Sequence, residues 1–186
     1  VSADLIQEEE VGKMFEKVQD EFGRIDLLVN NVGNFLFKPF AKTTNDEFKD
    51  LVESNLMSTL YCSREALKLM RKQKNGHIIN IGAVGAERLI IRENSMPYFL
   101  GKTGVYILTK TMAWEEAGNG IHINMISPAS MANDIFDKDD FPMGRAATYK
   151  DVISVLAFLT SKEGYYINGA NIEVAGGFIP GMGKVE

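Results

Sequence analysis

Tyr98 and Lys102 lie four residues apart in the stretch "MPYFLGKTG", and together their side chains could transfer a proton. On a helix, residues at this spacing share one face, so the phenol and the ammonium would be neighbours. A free tyrosine has a pKa of about 10 and exchanges protons poorly at neutral pH. A nearby ammonium is expected to lower the pKa of Tyr98 towards the working range. The same spacing is also typical of a packed aromatic residue beside a solvated cation. The residues around the pair must therefore distinguish these two interpretations.

Alternating strand and helix patterns surround this pair. The predicted strands are residues 25–31, 77–83, 121–127 and 171–175. The predicted helices are residues 7–22, 45–74, 97–117 and 149–161. The first three strands are mostly continuous apolar runs, which indicates a sheet covered on both faces. This order predicts an α/β fold with a mainly parallel sheet and right-handed crossovers.

The ends of three predicted strands are candidate ligand-binding positions. In open parallel sheets, ligands bind beyond the carboxyl ends of the strands. The residues there, 31–33, 83–85 and 127–130, are small or polar, so the backbone could closely approach a ligand. The alternative is that each segment is only a turn.

Asn55 lies in the middle of the predicted helix 45–74, where asparagine is a mediocre helix former. Its amide could bend the helix or bind a water molecule. The alternative is a tolerated polar residue on the surface.

Composition excludes several functions. The 186-residue chain has a net charge of −5, which gives no basic surface for nucleic acid or an anionic membrane. No apolar run approaches the ~18 residues of a membrane span. Cys62 is the single cysteine, and with His77 and His122 it gives no metal-ligand spacing, so we expect no metal site. A lone cysteine suits a reducing cytoplasm.

Six sequence blocks, in order, resemble the short-chain dehydrogenase/reductase family, in particular its 3-oxoacyl-(acyl carrier protein) reductases. They are "LLVNNVG" (27–33), "ESNLMSTLY" (53–61), "GHIINIGAVGA" (76–86), "YFLGK" (98–102), "GIHINMISPASMAND" (120–134) and residues 144–177. The resemblance implies a Rossmann-type, doubly wound, three-layer parallel sheet. It also implies a cytoplasmic oxidoreductase that uses NADP or NAD to reduce a carbonyl or imine of a small or acyl-carrier-linked substrate.

The resemblance also implies roles for individual residues. Tyr98 would donate a proton to the carbonyl oxygen, Lys102 would lower the pKa of Tyr98 and hold the nicotinamide ribose, and Asn55 would hold a relay water. The implied cofactor contacts are Asp4, Leu5, Asn31, Val32, Gly33, Tyr98, Lys102, Pro128, Met131 and Asn133.

The family's catalytic serine is replaced by Ala83, which is the main departure from its pattern. Loss of one such hydrogen-bond donor typically costs ~10²–10³ in rate. Ser95 could substitute for it, or an imine substrate could need it less. The alternative function is a catalytically impaired relative that binds a nucleotide or a partner as a scaffold.

Two segments affect the domain and substrate predictions. No glycine-rich turn opens a helix after a strand, so residues 1–186 are predicted to be one Rossmann domain that begins inside the family's third strand and lacks its N-terminal strands. Residues 134–143 form a short, acidic segment where the family carries a substrate lid. This segment suggests an open site or a cationic substrate, with a solvated loop as the alternative.

The resemblance further implies a homotetramer or homodimer, assembled through the two long helices. Their predicted contact residues are apolar: Leu56, Leu60, Leu67, Val105, Leu108 and Met112. Trp114 is predicted to lie in the core or in such an interface.

Overall fold

A parallel sheet forms the centre of the protein. The computed structural model describes residues 1–90, 92–131 and 141–178. Its strands are β1 (Leu27–Asn30), β2 (Gly76–Ile81), β3 (Ile121–Pro128) and β4 (Asn171–Val174). They are ordered β1-β2-β3-β4, and every neighbouring pair is parallel. The α/β prediction is therefore confirmed, and the carboxyl ends of all four strands meet at one edge.

Five α-helices precede or connect these strands in the described residues. They are α1 (Glu8–Phe22), α2 (Asn45–Val52), α3 (Ser58–Gln73), α4 (Met96–Glu116) and α5 (Tyr149–Leu159). Short 3₁₀ turns lie at Phe40–Lys42, Ala86–Arg88 and Ala117–Asn119. The single helix predicted over residues 45–74 is instead α2 and α3, joined by a π-helical turn at Glu53–Met57. No helix in the described part of the chain is long and apolar enough to cross a bilayer.

Side-chain caps set the starts of two helices. Thr44 precedes α2, and its hydroxyl accepts a hydrogen bond from the Glu47 amide (3.2 Å) while the Glu47 carboxylate accepts one from the Thr44 amide (2.8 Å). Thr148 and Asp151 form the same reciprocal box at the start of α5. Such boxes satisfy backbone donors that the first helical turn leaves unpaired.

Apolar residues on the two faces of the sheet pack against different helices. On one face, Ile78 and Ile123 contact side chains of α1, α3 and α4, including Cys62 and Met70. On the other face, Ile79 and Ile126 pack with Leu159 of α5. Each fully buried aliphatic side chain contributes about 1.5–3 kcal/mol. The three-layer prediction is confirmed, and Cys62 and Met70 pack in this core.

The predicted oligomer contacts need correction. Leu67, Val105 and Met112 are buried within this single chain, so they are not available to a partner. Leu56, Leu60 and Leu108 are only partly buried. The exposed apolar residues of α4 are instead spaced seven apart: Leu100 (50% exposed), Ile107 (59%) and Trp114 (87%). Trp114 therefore lies outside the core.

His77 and His122 form a stacked pair on neighbouring strands. They are register partners of β2 and β3, and their ring centroids lie 5.1 Å apart. The Nδ1 atoms of both rings are buried and have no hydrogen-bond partner among the described residues. Burial lowers the pKa of both imidazoles, and the charge of His122 lowers that of His77 further.

The free energy of unfolding is expected to decrease as the pH falls below about 6.5, the ordinary histidine pKa. The unfolded chain then binds protons that the folded pair excludes, so protonation favours unfolding. Urea unfolding of the native chain and of a His77→Gln/His122→Gln variant, at pH 7.5 and 5.5, measures this difference. The variant should lose less stability between the two pH values, and an equal loss would contradict the prediction.

Candidate active site

A cavity of about 460 Å³ opens at the carboxyl ends of the strands. Residues from the ends of all three predicted strands, 31–33, 83–85 and 127–130, line this cavity. The lining residues are Asn31, Gly33, Phe35, Phe37, Ile81, Gly82, Ala83, Val84, Arg92, Tyr98, Phe99, Lys102, Pro128, Ala129, Ser130, Met131, Tyr149, Val152 and Phe178. The three strand ends are therefore parts of one site rather than separate turns.

Tyr98 and Lys102 come from the first turns of α4. Lys102 is buried, and its Nζ donates a hydrogen bond to the Ile81 carbonyl at 2.8 Å. The same Nζ lies 5.6 Å from the centroid of the Tyr98 ring. The structure therefore confirms that the two side chains are neighbours, and it excludes a solvated cation at position 102.

Burial shifts the pKa of both groups. It raises the pKa of Tyr98 to about 12 and lowers that of Lys102 to about 8. The net shift at Tyr98 is therefore upward, opposite to the expected direction, because burial disfavours the phenolate and the Lys102 ammonium bonds to the Ile81 carbonyl. Tyr98 is therefore a protonated phenol at neutral pH.

Two phenylalanines flank the Tyr98 ring. Phe35 meets it edge to face with centroids 5.1 Å apart, and Phe99 does so at 5.6 Å. Such perpendicular pairs are a favoured aromatic geometry and restrict the ring's position. Phe35 was missed by sequence reasoning. The available signal was the run of phenylalanines at 35, 37 and 40, which fits no predicted strand or helix.

Ala83 lines the cavity just beyond β2 and presents a methyl group where the family has its serine hydroxyl. Ser95 does not replace that hydroxyl. It is fully buried, donates its hydrogen bond to the Arg92 carbonyl at 2.7 Å and does not line the cavity. The suggested substitution by Ser95 is therefore wrong.

Polar contacts from β4 fix the loop that carries Ala83. Glu173 accepts hydrogen bonds from the Gly85 amide (3.0 Å) and from the Arg88 guanidinium (2.7 Å). Gly82 packs so closely against β3 that a Cβ there would overlap the side chains of Met125 and Ser127. The position of Ala83 is thus set by the neighbouring strands.

Asn55 lies in the π-helical turn and is completely buried. Its Nδ2 donates to the carbonyls of Leu51 (2.9 Å) and Asn34 (2.8 Å), which ties the turn to the segment after β1. Its Oδ1 is a buried acceptor with no hydrogen-bond partner in the described residues. The alternative of a surface residue is wrong, and the predicted helix distortion is confirmed as a π-helical turn.

The predicted cofactor contacts divide into three groups. Six of them line the cavity: Asn31, Gly33, Tyr98, Lys102, Pro128 and Met131. Asp4, Leu5 and Val32 are described but do not line it, so their assignment stays a prediction. Asn133 lies outside the described residues, as do residues 134–140 of the acidic segment.

Among the described lining residues, the charged side chains are Arg92 and Lys102, and both are cationic. Nine lining residues were not among the predicted site residues or strand-end segments: Phe35, Phe37, Ile81, Gly82, Arg92, Phe99, Tyr149, Val152 and Phe178. No carboxylate is found among the described lining residues, so this part of the cavity does not favour the cationic substrate suggested by the acidic segment.

Comparisons with known proteins agree with this geometry. The sequence model described as enoyl-(acyl carrier protein) reductase matches residues 1–179. The chain is 33% identical to YtkK of Bacillus subtilis, over 95% of this chain and 74% of that protein. It is 31% identical to the 3-oxoacyl-(acyl carrier protein) reductase FabG of Haemophilus influenzae, over 91% of this chain and 73% of that protein.

A solved structure gives the same result. ElxO, determined with NADP bound, has a TM-score of 0.87 and 31% identity, and the match covers 94% of this chain and 75% of that one. The chain described here therefore belongs to the short-chain dehydrogenase/reductase family of oxidoreductases.

Proposed function

We propose that this protein uses NADPH or NADH to reduce a carbonyl or imine of a small or acyl-carrier-linked substrate, with Tyr98 as proton donor. One observation carries the proposal. A protonated phenol lines the cavity at the strand ends, beside a buried lysine. This pair is what carbonyl reduction needs, because the developing alkoxide must receive a proton.

The cavity residues fit a nicotinamide cofactor. Ala83 and Ala129 contribute only methyl groups to the cavity at the strand ends, so a flat ring could lie close to the backbone there. Lys102 adds a buried donor close to the Ile81 carbonyl. When bound there, the reduced nicotinamide would supply the hydride that the substrate carbon accepts.

Tyr98 supplies the proton in this mechanism. An alkoxide is a stronger base than a tyrosinate, so proton transfer from the phenol to the reduced oxygen is favourable. The Lys102 ammonium then stabilises the tyrosinate that this transfer leaves behind. Asn55 serves as the relay residue in the proposal, because its Oδ1 is a buried acceptor that could bind a water.

Ala83 favours a second candidate function, a catalytically impaired relative that binds a nucleotide as a scaffold. The missing hydroxyl would otherwise donate to the substrate oxygen as negative charge develops. The retained Tyr98, Lys102 and Asn55 weigh against this candidate, since a binding protein has no need of a proton donor beside a buried amine.

A pH profile tests the proposed role of Lys102. Its pKa of about 8 places the loss of the ammonium just above neutral pH. The kcat/KM for reduction should be level from pH 6 to 7 and fall about tenfold per unit well above pH 8. The matched variant Lys102→Arg keeps its charge and should remove this fall, whatever its absolute rate. A profile unchanged by the substitution would exclude Lys102 as the titrating group.

We further propose that the protein forms a homodimer or homotetramer through the exposed stripe Leu100, Ile107 and Trp114. The exposed apolar side chains follow one line along α4, and burial against a second copy would remove them from water. Sedimentation of Ile107→Asp should show a smaller species than the native protein. Ile153→Asp, at a similarly exposed isoleucine on α5 (61%), is the control. Equal sedimentation of native protein and Ile107→Asp would contradict this assembly.

A further inference from the structure

Two phenylalanines in the segment after β1 present large apolar surfaces to the cavity. Phe35 and Phe37 line it, and they are 51% and 53% exposed. Phe40, in the same segment, is 72% exposed but does not line the cavity. Exposed aromatic surface is unfavourable in water, and within a ligand cavity it is typically covered by the ligand.

Phe35 stands beside the reacting group. Its ring meets that of Tyr98 at 5.1 Å and 89°. A substrate whose oxygen reaches the Tyr98 hydroxyl must place the groups on its carbonyl carbon within reach of Phe35. Ring centroids 4.5–7 Å apart give the favourable aromatic contacts, so a planar ring at this position would interact with Phe35 directly.

Other aromatic and alkyl side chains line the same cavity. Phe37 lies under the Arg92 guanidinium, which is 5.3 Å from its ring centroid. Tyr149 and Phe178 also line the cavity, and Ala83 contributes a methyl group where the family has a hydroxyl. Aromatic rings and alkyl groups therefore form a large part of the cavity lining.

We propose that the substrate is an aryl ketone or aryl aldehyde whose aromatic ring packs against Phe35 and Phe37. The inference rests on the proposed function and specifies its substrate class. In the balanced reaction, the carbonyl carbon accepts a hydride from NAD(P)H and the oxygen accepts a proton from Tyr98. The products are a benzylic alcohol and NAD(P)⁺, and Tyr98 regains its proton from solvent.

Ligand affinity tests this proposal without turnover. Dissociation constants of acetophenone, cyclohexyl methyl ketone and 2-octanone are measured by ligand-observed NMR, with NADP⁺ present. The first two are similar in size and differ in aromaticity, and the third represents a linear chain. Acetophenone should bind about tenfold more tightly than cyclohexyl methyl ketone. Equal affinities, or tighter binding of 2-octanone, would overturn the proposal.

Matched variants test whether Phe35 and Phe37 cause the preference for acetophenone. Phe35→Leu should reduce the preference to about twofold, while Phe40→Leu, outside the cavity, should preserve it. Thermal melting checks that both variants fold. If Phe35→Leu melts early, Phe37→Leu provides the same comparison. A preference that survives both cavity substitutions would also overturn the proposal.

Different results would contradict the aryl-substrate proposal and the proposed reductase function. Reduction of all three ketones without preference and with equal affinities would remove the aryl assignment and leave the reductase intact. Selective binding of acetophenone, with no oxidation of NADPH by any ketone, would support the aromatic site and contradict the reductase.

Discussion

Tyr98→Phe should lower kcat/KM for ketone reduction by about 10²–10⁴ while leaving NADPH affinity nearly unchanged. The substitution removes the phenolic hydroxyl and keeps the ring that packs between Phe35 and Phe99. Burial holds this hydroxyl protonated, with a pKa of about 12, so it is available as a donor at neutral pH. NADPH oxidation measures the rate, and fluorescence titration with NADPH measures the affinity.

Tyr149→Phe is the matched control for this result. Tyr149 also lines the cavity but is largely exposed. Its loss should change kcat/KM by no more than about threefold. A native rate in Tyr98→Phe would remove Tyr98 from the mechanism. A large loss in Tyr149→Phe instead would assign the proton donor to Tyr149.

Ala83→Ser should raise kcat/KM on simple ketones by about 10²-fold, because it adds the hydrogen-bond donor that the site lacks. Ala83 lines the cavity, and the loop that carries it is fixed by Glu173, so the new hydroxyl would occupy a defined position. Steady-state rates with ethyl acetoacetate and acetophenone measure the gain.

Val84→Thr tests whether the gain in rate depends on where the added hydroxyl lies or only on adding a polar group to the cavity. Val84 also lines the cavity, and threonine has nearly the same shape while adding a hydroxyl one residue further along. No gain is expected there. If Ala83→Ser leaves the rate unchanged, the native chemistry bypasses that donor, as reduction of an imine could. If neither protein oxidises NADPH, the scaffold alternative gains support.

Much of the fold follows directly from sequence patterns. The apolar runs around Ile78 and Ile123 give β2 and β3, and alternation with helices gives their parallel pairing. The end of helix α1 at Phe22 follows from Gly23, which adopts a left-handed conformation (φ 69°) that favours glycine. These features are local, so a sequence can specify them.

The interruption between α2 and α3 was harder to predict. Asn55 indicated a distortion, but a π-helical turn depends on which carbonyls its amide reaches, and these include Asn34, far away in sequence. The prediction of which apolar residues on the long helices would contact a partner copy was wrong for a similar reason. Val105 and Met112 are as apolar as Ile107, yet only the packed structure determines which of them meet the sheet.

The electrostatics of the site also depend on tertiary structure. The four-residue spacing correctly placed Lys102 beside Tyr98, but the direction of the Tyr98 pKa shift depends on burial and on the Ile81 carbonyl that binds the ammonium. The contact between Phe35 and Tyr98 joins two segments far apart in sequence. Neither feature has a local signature.

Transfer of deuterium from NADPH tests the central claim most directly. The native protein is incubated with NADPH carrying two deuterium atoms at C4 and with acetophenone or ethyl acetoacetate, and the products are analysed by mass spectrometry. The account predicts an alcohol with one deuterium on the former carbonyl carbon, and almost none with Tyr98→Phe. Unreacted ketone with the native protein, or an alcohol without deuterium, would contradict the assignment of this cavity as a nicotinamide-dependent reductase site.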